Sequence, residues 1–158
     1  MEKIKSFTID HTRLWSGVYV SRKDTLGLET ITTFDLRIAT PNRMPAMGPD
    51  AIHAMEHLAA TYLRNDPVWK DSVIYFGPMG CRTGFYLIMK GNLQPGSIVP
   101  LLVRCFTFIS KYEGNIPGAT AKECGNYLEM NLNMAKYWAN RYLTTLEYID
   151  ESRMNYPK

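Results

Sequence analysis

Apolar residues alternate with polar ones over residues 30–36, Thr-Ile-Thr-Thr-Phe-Asp-Leu, and Val18-Tyr19-Val20 upstream has the same β-rich texture. Both segments read as strands, separated by a turn over residues 23–27. The period then changes. Prolines and Gly48 mark residues 40–50 as a loop, Pro49-Asp50 suits a helix start, and Ile52, Met55, Ala59 and Tyr62 recur at intervals of three and four, so a helix is expected over about 51–63. Two further strands are expected at 72–76 and 84–89, forming a hairpin whose turn, residues 77–83, carries Cys81 near its tip. Pro95-Gly96 is read as the end of that hairpin. Residues 98–112 are apolar enough for a buried helix, with Pro100 in its first turn. Thr120 and Glu123 stand three apart as a capping box requires, which predicts a last long helix carrying Leu128, Leu132, Ala135, Ala139, Tyr142, Leu146 and Ile149 on one face. Strands and helices segregate rather than alternate, so the expected class is α+β, with an antiparallel sheet packed against helices in a single domain spanning 1–158.

Composition narrows the function classes. With 46% hydrophobic and 12% aromatic residues among 158, the chain is not disordered, and a domain of this size buries roughly two-thirds of its unfolded surface without staples. Eighteen Lys+Arg against fifteen Asp+Glu give a net charge of +3 with no basic run, so neither nucleic acid nor a membrane is an expected partner. No targeting segment or membrane span is evident, and a cytoplasmic location is expected. Three cysteines, 81, 105 and 124, make a poor disulfide framework and suit a reducing compartment.

Two of the three histidines stand in His53-Ala54-Met55-Glu56-His57 on the expected helix. Positions i and i+4 share a face, so His53 and His57 can offer nitrogens to one metal with Glu56 beside them, although the same residues also suit a solvated face. Cys124, expected at the start of the last helix where the dipole favours thiolate, is a credible third ligand. Two imidazoles and a thiolate leave a position open, as in a catalytic site, and suit Zn(II), Fe(II) or Co(II). Cys105 lies in an apolar stretch and is assigned to the core. Cys81, between Gly80 and Arg82 on a tight turn, suits a nucleophile, a proton shuttle or a fourth ligand, the last of which would make the metal structural.

Five blocks in order carry a resemblance: Ser6-Phe7-Thr8-Ile9-Asp10-His11, Thr33-Phe34-Asp35-Leu36-Arg37, the His53 to His57 motif, Gly77-Pro78-Met79-Gly80-Cys81-Arg82-Thr83-Gly84-Phe85-Tyr86, and Glu123-Cys124-Gly125. Together they resemble the S-ribosylhomocysteine lyase (LuxS) family end to end. The resemblance implies a homodimer with active sites at the interface and one Fe(II) per subunit, replaceable by Zn(II) or Co(II). It also implies a carbon–sulfur lyase of the activated methyl cycle whose second product is the autoinducer-2 precursor of quorum sensing. It makes His53, His57 and Cys124 the metal ligands, Cys81 and Glu56 the acid/base pair, and Ser6, His11 and Arg37 substrate-binding positions. Where many members carry an aspartate before the Pro-Met-Gly-Cys turn, this chain reads Tyr75-Phe76-Gly77. The alternatives are a metallopeptidase using the H-x-x-E-H motif and a non-enzymatic structural-metal domain.

Overall fold

The alternation seen in the sequence becomes the inner face of a four-stranded antiparallel sheet in the computed structural model, which describes residues 1–157. Strands β1 (Gly17–Leu26), β2 (Glu29–Arg37), β3 (Val73–Pro78) and β4 (Gly84–Lys90) lie in the order β1-β2-β4-β3. Helix α1 (Pro49–Leu63) connects β2 to β3, and α2 (Pro95–Ser110) and α3 (Leu132–Glu147) follow the sheet. Val18, Phe34, Leu36, Phe85, Leu87 and Met89 face the helices and are buried with Met55, Leu58, Leu102, Phe106 and Tyr142 in one core. Burying each such side chain contributes roughly 1.5–3 kcal/mol. The α+β class and the antiparallel sheet are therefore as expected.

Several boundaries differ from the sequence reading, each for a local reason. The first hairpin turn is only Gly27-Leu28, because Leu26 pairs with Glu29 and Gly27 takes φ 62°, leaving residues 23–26 in strand. Pro95 does not end the hairpin but opens α2, where Gln94 and Ser97 form a reciprocal cap. Pro100 consequently sits in the second turn rather than the first, where it has no N–H to donate to the carbonyl of Gly96.

The largest correction concerns residues 120–131. They form turns, not the first half of a long helix, and α3 starts only at Leu132. Asn131 supplies the cap, accepting from the Met134 amide at 3.0 Å, whereas the Thr120 hydroxyl donates to the Glu123 carboxylate at 2.7 Å instead of capping a backbone N–H. Gly125 and Asn126 are poor helix formers, and Leu128 is exposed. Cys124 thus lies in a loop, and no helix dipole acts on it. Cys105 is fully buried in α2 as expected, and burial pushes its thiol pKa up. Among the described residues no helix is long and apolar enough to cross a membrane.

Candidate active site

Helix α1 turns Ile52, Met55, Leu58 and Ala59 into the core, which leaves His53, Glu56 and His57 half-buried on the opposite side. Each imidazole is oriented by a carbonyl. His53 Nδ1 lies 3.0 Å from the Glu129 carbonyl and His57 Nδ1 lies 2.8 Å from that of Pro117. A carbonyl oxygen can only accept, so both rings carry their proton on Nδ1 and present a free Nε2 lone pair. Gly118 shapes this arrangement: it adopts φ +72°, and a Cβ there would come within 3.1 Å of His57 Nδ1.

The loop of residues 120–131 brings Cys124 to the same place. Its Sγ lies 3.4 Å from His53 Nε2, and the ligand atoms of His53, His57 and Cys124 all fall within 4.8 Å of one another. A tetrahedral ion with ordinary Zn–N and Zn–S bonds separates its nitrogen and sulfur ligands by about 3.5 Å, so this donor set fits a borderline divalent metal with one position open. The Asn126 amide donates to Cys124 Sγ at 3.5 Å. Glu56 lines the adjoining cavity of about 370 Å³, and among the described residues its carboxylate has no hydrogen-bonding partner.

A second constellation forms at the tip of the β3–β4 hairpin. The turn is held by Met79 N–H donating to the Gly84 carbonyl, by Arg82 at φ 58°, and by Met47 N–H donating to the Arg82 carbonyl. Cys81, exposed at this tip, has its Sγ 3.1 Å from the Thr83 hydroxyl and 3.6 Å from Arg37 Nη1. Burial works against ionisation of the thiol, but the Thr83 hydroxyl and amide and the Arg37 guanidinium outweigh it and hold the pKa below the ordinary thiol value. The sequence singled out Arg82 as the neighbouring cation; the structure assigns that part to Arg37.

Arg37 is not a free cation. It is 3% exposed, and its Nε and Nη2 fork onto Asp35, itself 1% exposed, at 3.1 and 2.5 Å, while Nη1 donates to Thr83 Oγ1 at 2.7 Å. Its cross-strand neighbours are Gly17 on β1 and Gly84 on β4. Ser6, His11, Arg37 and Cys81 line one pocket of about 240 Å³. His11 Nδ1 donates to the Ile9 carbonyl at 2.9 Å, so its Nε2 is available to a ligand.

The eight residues singled out in the sequence therefore form two groups within one chain. His53, Glu56, His57 and Cys124 are together, and Ser6, His11, Arg37 and Cys81 are together, but Cys81 and Glu56 line different cavities. Sequence reasoning missed Asp35, Thr83, Tyr86 and Tyr156. Asp35 had a readable signal, since i and i+2 on a strand share a face with Arg37.

The S-Ribosylhomocysteinase (LuxS) family matches residues 4–153. The chain belongs to this family. Curated relatives named S-ribosylhomocysteine lyase from Clostridium acetobutylicum and Finegoldia magna are 52% and 56% identical over 158 residues, each alignment covering 100% of both chains. A relative of the same name from Porphyromonas gingivalis is 52% identical, with 99% of each chain covered.

Membership and geometry together disfavour both alternatives. Among the described residues Cys81 is absent from the cluster of possible metal donors, so no four-ligand structural site forms within the chain. A thiolate as third ligand is also foreign to the H-x-x-E-H peptidase pattern. Just before the Pro-Met-Gly-Cys turn, Tyr75 folds its hydroxyl over Gly77, so a side chain at Gly77 would displace that ring.

Proposed function

We propose that this LuxS-family chain cleaves the thioether of S-ribosylhomocysteine, giving homocysteine and 4,5-dihydroxy-2,3-pentanedione, the autoinducer-2 precursor. The observation that carries the reading is the convergence of His53, His57 and Cys124 within 4.8 Å, with a position left for substrate. A bound divalent metal, Fe(II) with Zn(II) or Co(II) as substitutes and one per subunit, supplies Lewis acidity toward the sugar oxygens.

The chemistry is a series of proton transfers. The carbonyl moves from C1 to C2 and then to C3 of the open-chain sugar, each time by removing a proton from carbon and returning one to its neighbour. With the carbonyl at C3 the sulfur at C5 lies β to it. Loss of the C4 proton then forms the C4–C5 double bond as the C5–S pair departs with homocysteine, and the resulting enol tautomerises to the dicarbonyl. Cys81, held toward thiolate by Thr83 and Arg37, removes and returns the carbon-bound protons. Glu56, which lines the cavity beside His53 and His57, moves the hydroxyl protons and protonates the departing sulfur. Ser6, His11 and Arg37 orient the substrate in the pocket they share with Cys81.

Because Cys81 and Glu56 face different cavities, a complete site is assembled from two copies, with the Cys81 pocket of one protomer set against the metal ligands of the other. The face of the sheet turned away from the helices supports this: Ile31, Tyr75, Tyr86 and Ile88 line an apolar groove of about 680 Å³ on it. A homodimer acting in the cytoplasm on a small zwitterionic substrate also accords with the modest +3 charge. These products would serve methyl-cycle recycling or supply the autoinducer-2 precursor for quorum sensing.

Anaerobic incubation of Fe(II)- or Co(II)-loaded protein with S-ribosylhomocysteine, followed by thiol titration, tests the reading; no thiol release would sink it. Mixing Cys81→Ala and Cys124→Ala subunits tests the shared site. Activity reappears in the mixture if two copies build it and stays absent if each chain works alone.

A further inference from the structure

The segment after α3 returns to the sheet and ends against the Arg37–Cys81 pair. Asp150 caps a short 3-10 turn, Glu151–Arg153, through the Ser152 amide at 2.9 Å, and the Arg153 carbonyl lies so close to Gly17 that any Cβ there would meet it. This brings Tyr156 under β1, where its ring stacks on Tyr19 with centroids 4.9 Å apart and planes 7° from parallel. Its hydroxyl donates to Asp35 Oδ2 at 2.9 Å, the same oxygen that receives Arg37 Nη2. The chain of contacts then runs from Arg37 Nη1 to Cys81 Sγ at 3.6 Å. Tyr156 also lines the pocket that holds Ser6, His11 and Cys81.

We propose that Tyr156 is a positioning residue for Cys81, acting through Asp35 and Arg37 to fix the guanidinium against the thiol. The inference rests on the reading of Cys81 as the proton-transfer group. Asp35 is a buried carboxylate with two partners, and each donor it accepts lessens its hold on the other. Without the Tyr156 hydroxyl the carboxylate leans wholly on Arg37, draws the guanidinium off Cys81 and presents more uncompensated negative charge to the thiol. Both effects disfavour thiolate. Burial and the facing Asp35 raise the Tyr156 pKa, so the phenol stays protonated as the donor this arrangement needs. The other charged or titratable groups around Cys81 are Tyr86 of β4, His11 of the N-terminal segment and the adjacent Arg82; Tyr86 faces Asp35 across the β2–β4 pair and feels its charge, but among the described residues Tyr156 and Arg37 are the donors to Asp35 Oδ2.

The test is the pH dependence of iodoacetamide alkylation at Cys81 in the metal-loaded full chain, read by mass spectrometry of the Cys81 peptide so that Cys124 and Cys105 do not contribute. Tyr156→Phe keeps the ring stacked on Tyr19 and removes only the hydroxyl. Its alkylation midpoint is expected to rise by about half a unit, which slows alkylation below the midpoint about threefold. Tyr148→Phe, which alters an exposed tyrosine, is expected to leave the midpoint where it was. With S-ribosylhomocysteine the Tyr156→Phe loss should appear in kcat, with KM little changed, and should shrink as pH rises. An unmoved or lowered midpoint in Tyr156→Phe overturns the proposal, whatever happens to the melting temperature. Alkylation needs no substrate, so it decides this proposal separately from the lyase reading, which thiol release decides.

Discussion

Arg37 Nη1 approaches Cys81 Sγ to 3.6 Å from a strand that is not part of the Cys81 hairpin turn. The cation is buried and fixed by Asp35, so it acts on the thiol as a permanent charge rather than a mobile one. Arg37→Gln should therefore raise the Cys81 pKa by about one unit. The sign follows from the acid: removing a positive neighbour disfavours the thiolate, so the alkaline-going limb of kcat/KM moves to higher pH. The limb in the unaltered protein should lie below the ordinary thiol range, about pH 8.5. A limb that does not move in Arg37→Gln would show that another group sets it.

Cys81 and Cys124 should separate cleanly on replacement. If Cys81 is the proposed proton-transfer group, Cys81→Ala should lower kcat by about 10²–10⁴-fold while metal content stays that of the unaltered protein. Cys124→Ala removes one of three protein donors and should lose metal first, with activity following it. Metal analysis of both purified variants checks this; metal loss in Cys81→Ala would instead support a closed structural site.

Gly118 offers a test of how the imidazoles are oriented. Gly118→Ala places a methyl group 3.1 Å from His57 Nδ1 at a backbone angle of φ +72° that disfavours alanine. Rotating His57 off the Pro117 carbonyl should weaken metal binding by about tenfold or more, measured by competition with a chelator.

Asp66 is a purely structural counterpart. It is 2% exposed and accepts from the Val68 and Trp69 amides, each at 3.0 Å, and from Arg104 at 2.8 Å. Burial works against its charge, but these donors hold its pKa below the ordinary carboxylate value. A depressed carboxylate contributes stability that is complete above the unfolded-state value, about pH 3.9, and is lost as pH falls through its folded value. Asp66→Ala should cost about 2 kcal/mol at neutral pH, with the difference from the parent shrinking in strong acid. Urea melts at the two pH values measure it.

The parts of this site that could be read from sequence are those set by short-range periodicity. His53 and His57 share a face because helix α1 repeats every 3.6 residues, and Cys81 reaches a hairpin tip because two β-rich runs flank a Gly-Pro-rich turn. Cys124 lies beside His53 and His57, as the sequence reading expected, but in a loop rather than at a helix start. Thr120 and Glu123 imitate a capping box, and only the tertiary demand that Cys124 meet His53 from a loop, with Asn131 as the true cap, decides otherwise. The Asp35–Arg37 fork was legible in principle from strand alternation, although the sequence gives no hint that it leaves Arg37 so fully engaged. Tyr156 had no local signal at all, since its contact with Asp35 spans 121 residues.

The central claim is that the His53–His57–Cys124 cluster and Cys81 serve one lyase reaction. The most direct measurement is the simultaneous quantification of free thiol and 4,5-dihydroxy-2,3-pentanedione when anaerobic Fe(II)-loaded protein meets S-ribosylhomocysteine, alongside metal-replete Cys81→Ala. The account predicts equal amounts of the two products from the unaltered protein and at most about a hundredth of that rate from the variant. Absence of both products from the metal-loaded unaltered protein, or undiminished turnover in Cys81→Ala, would contradict it.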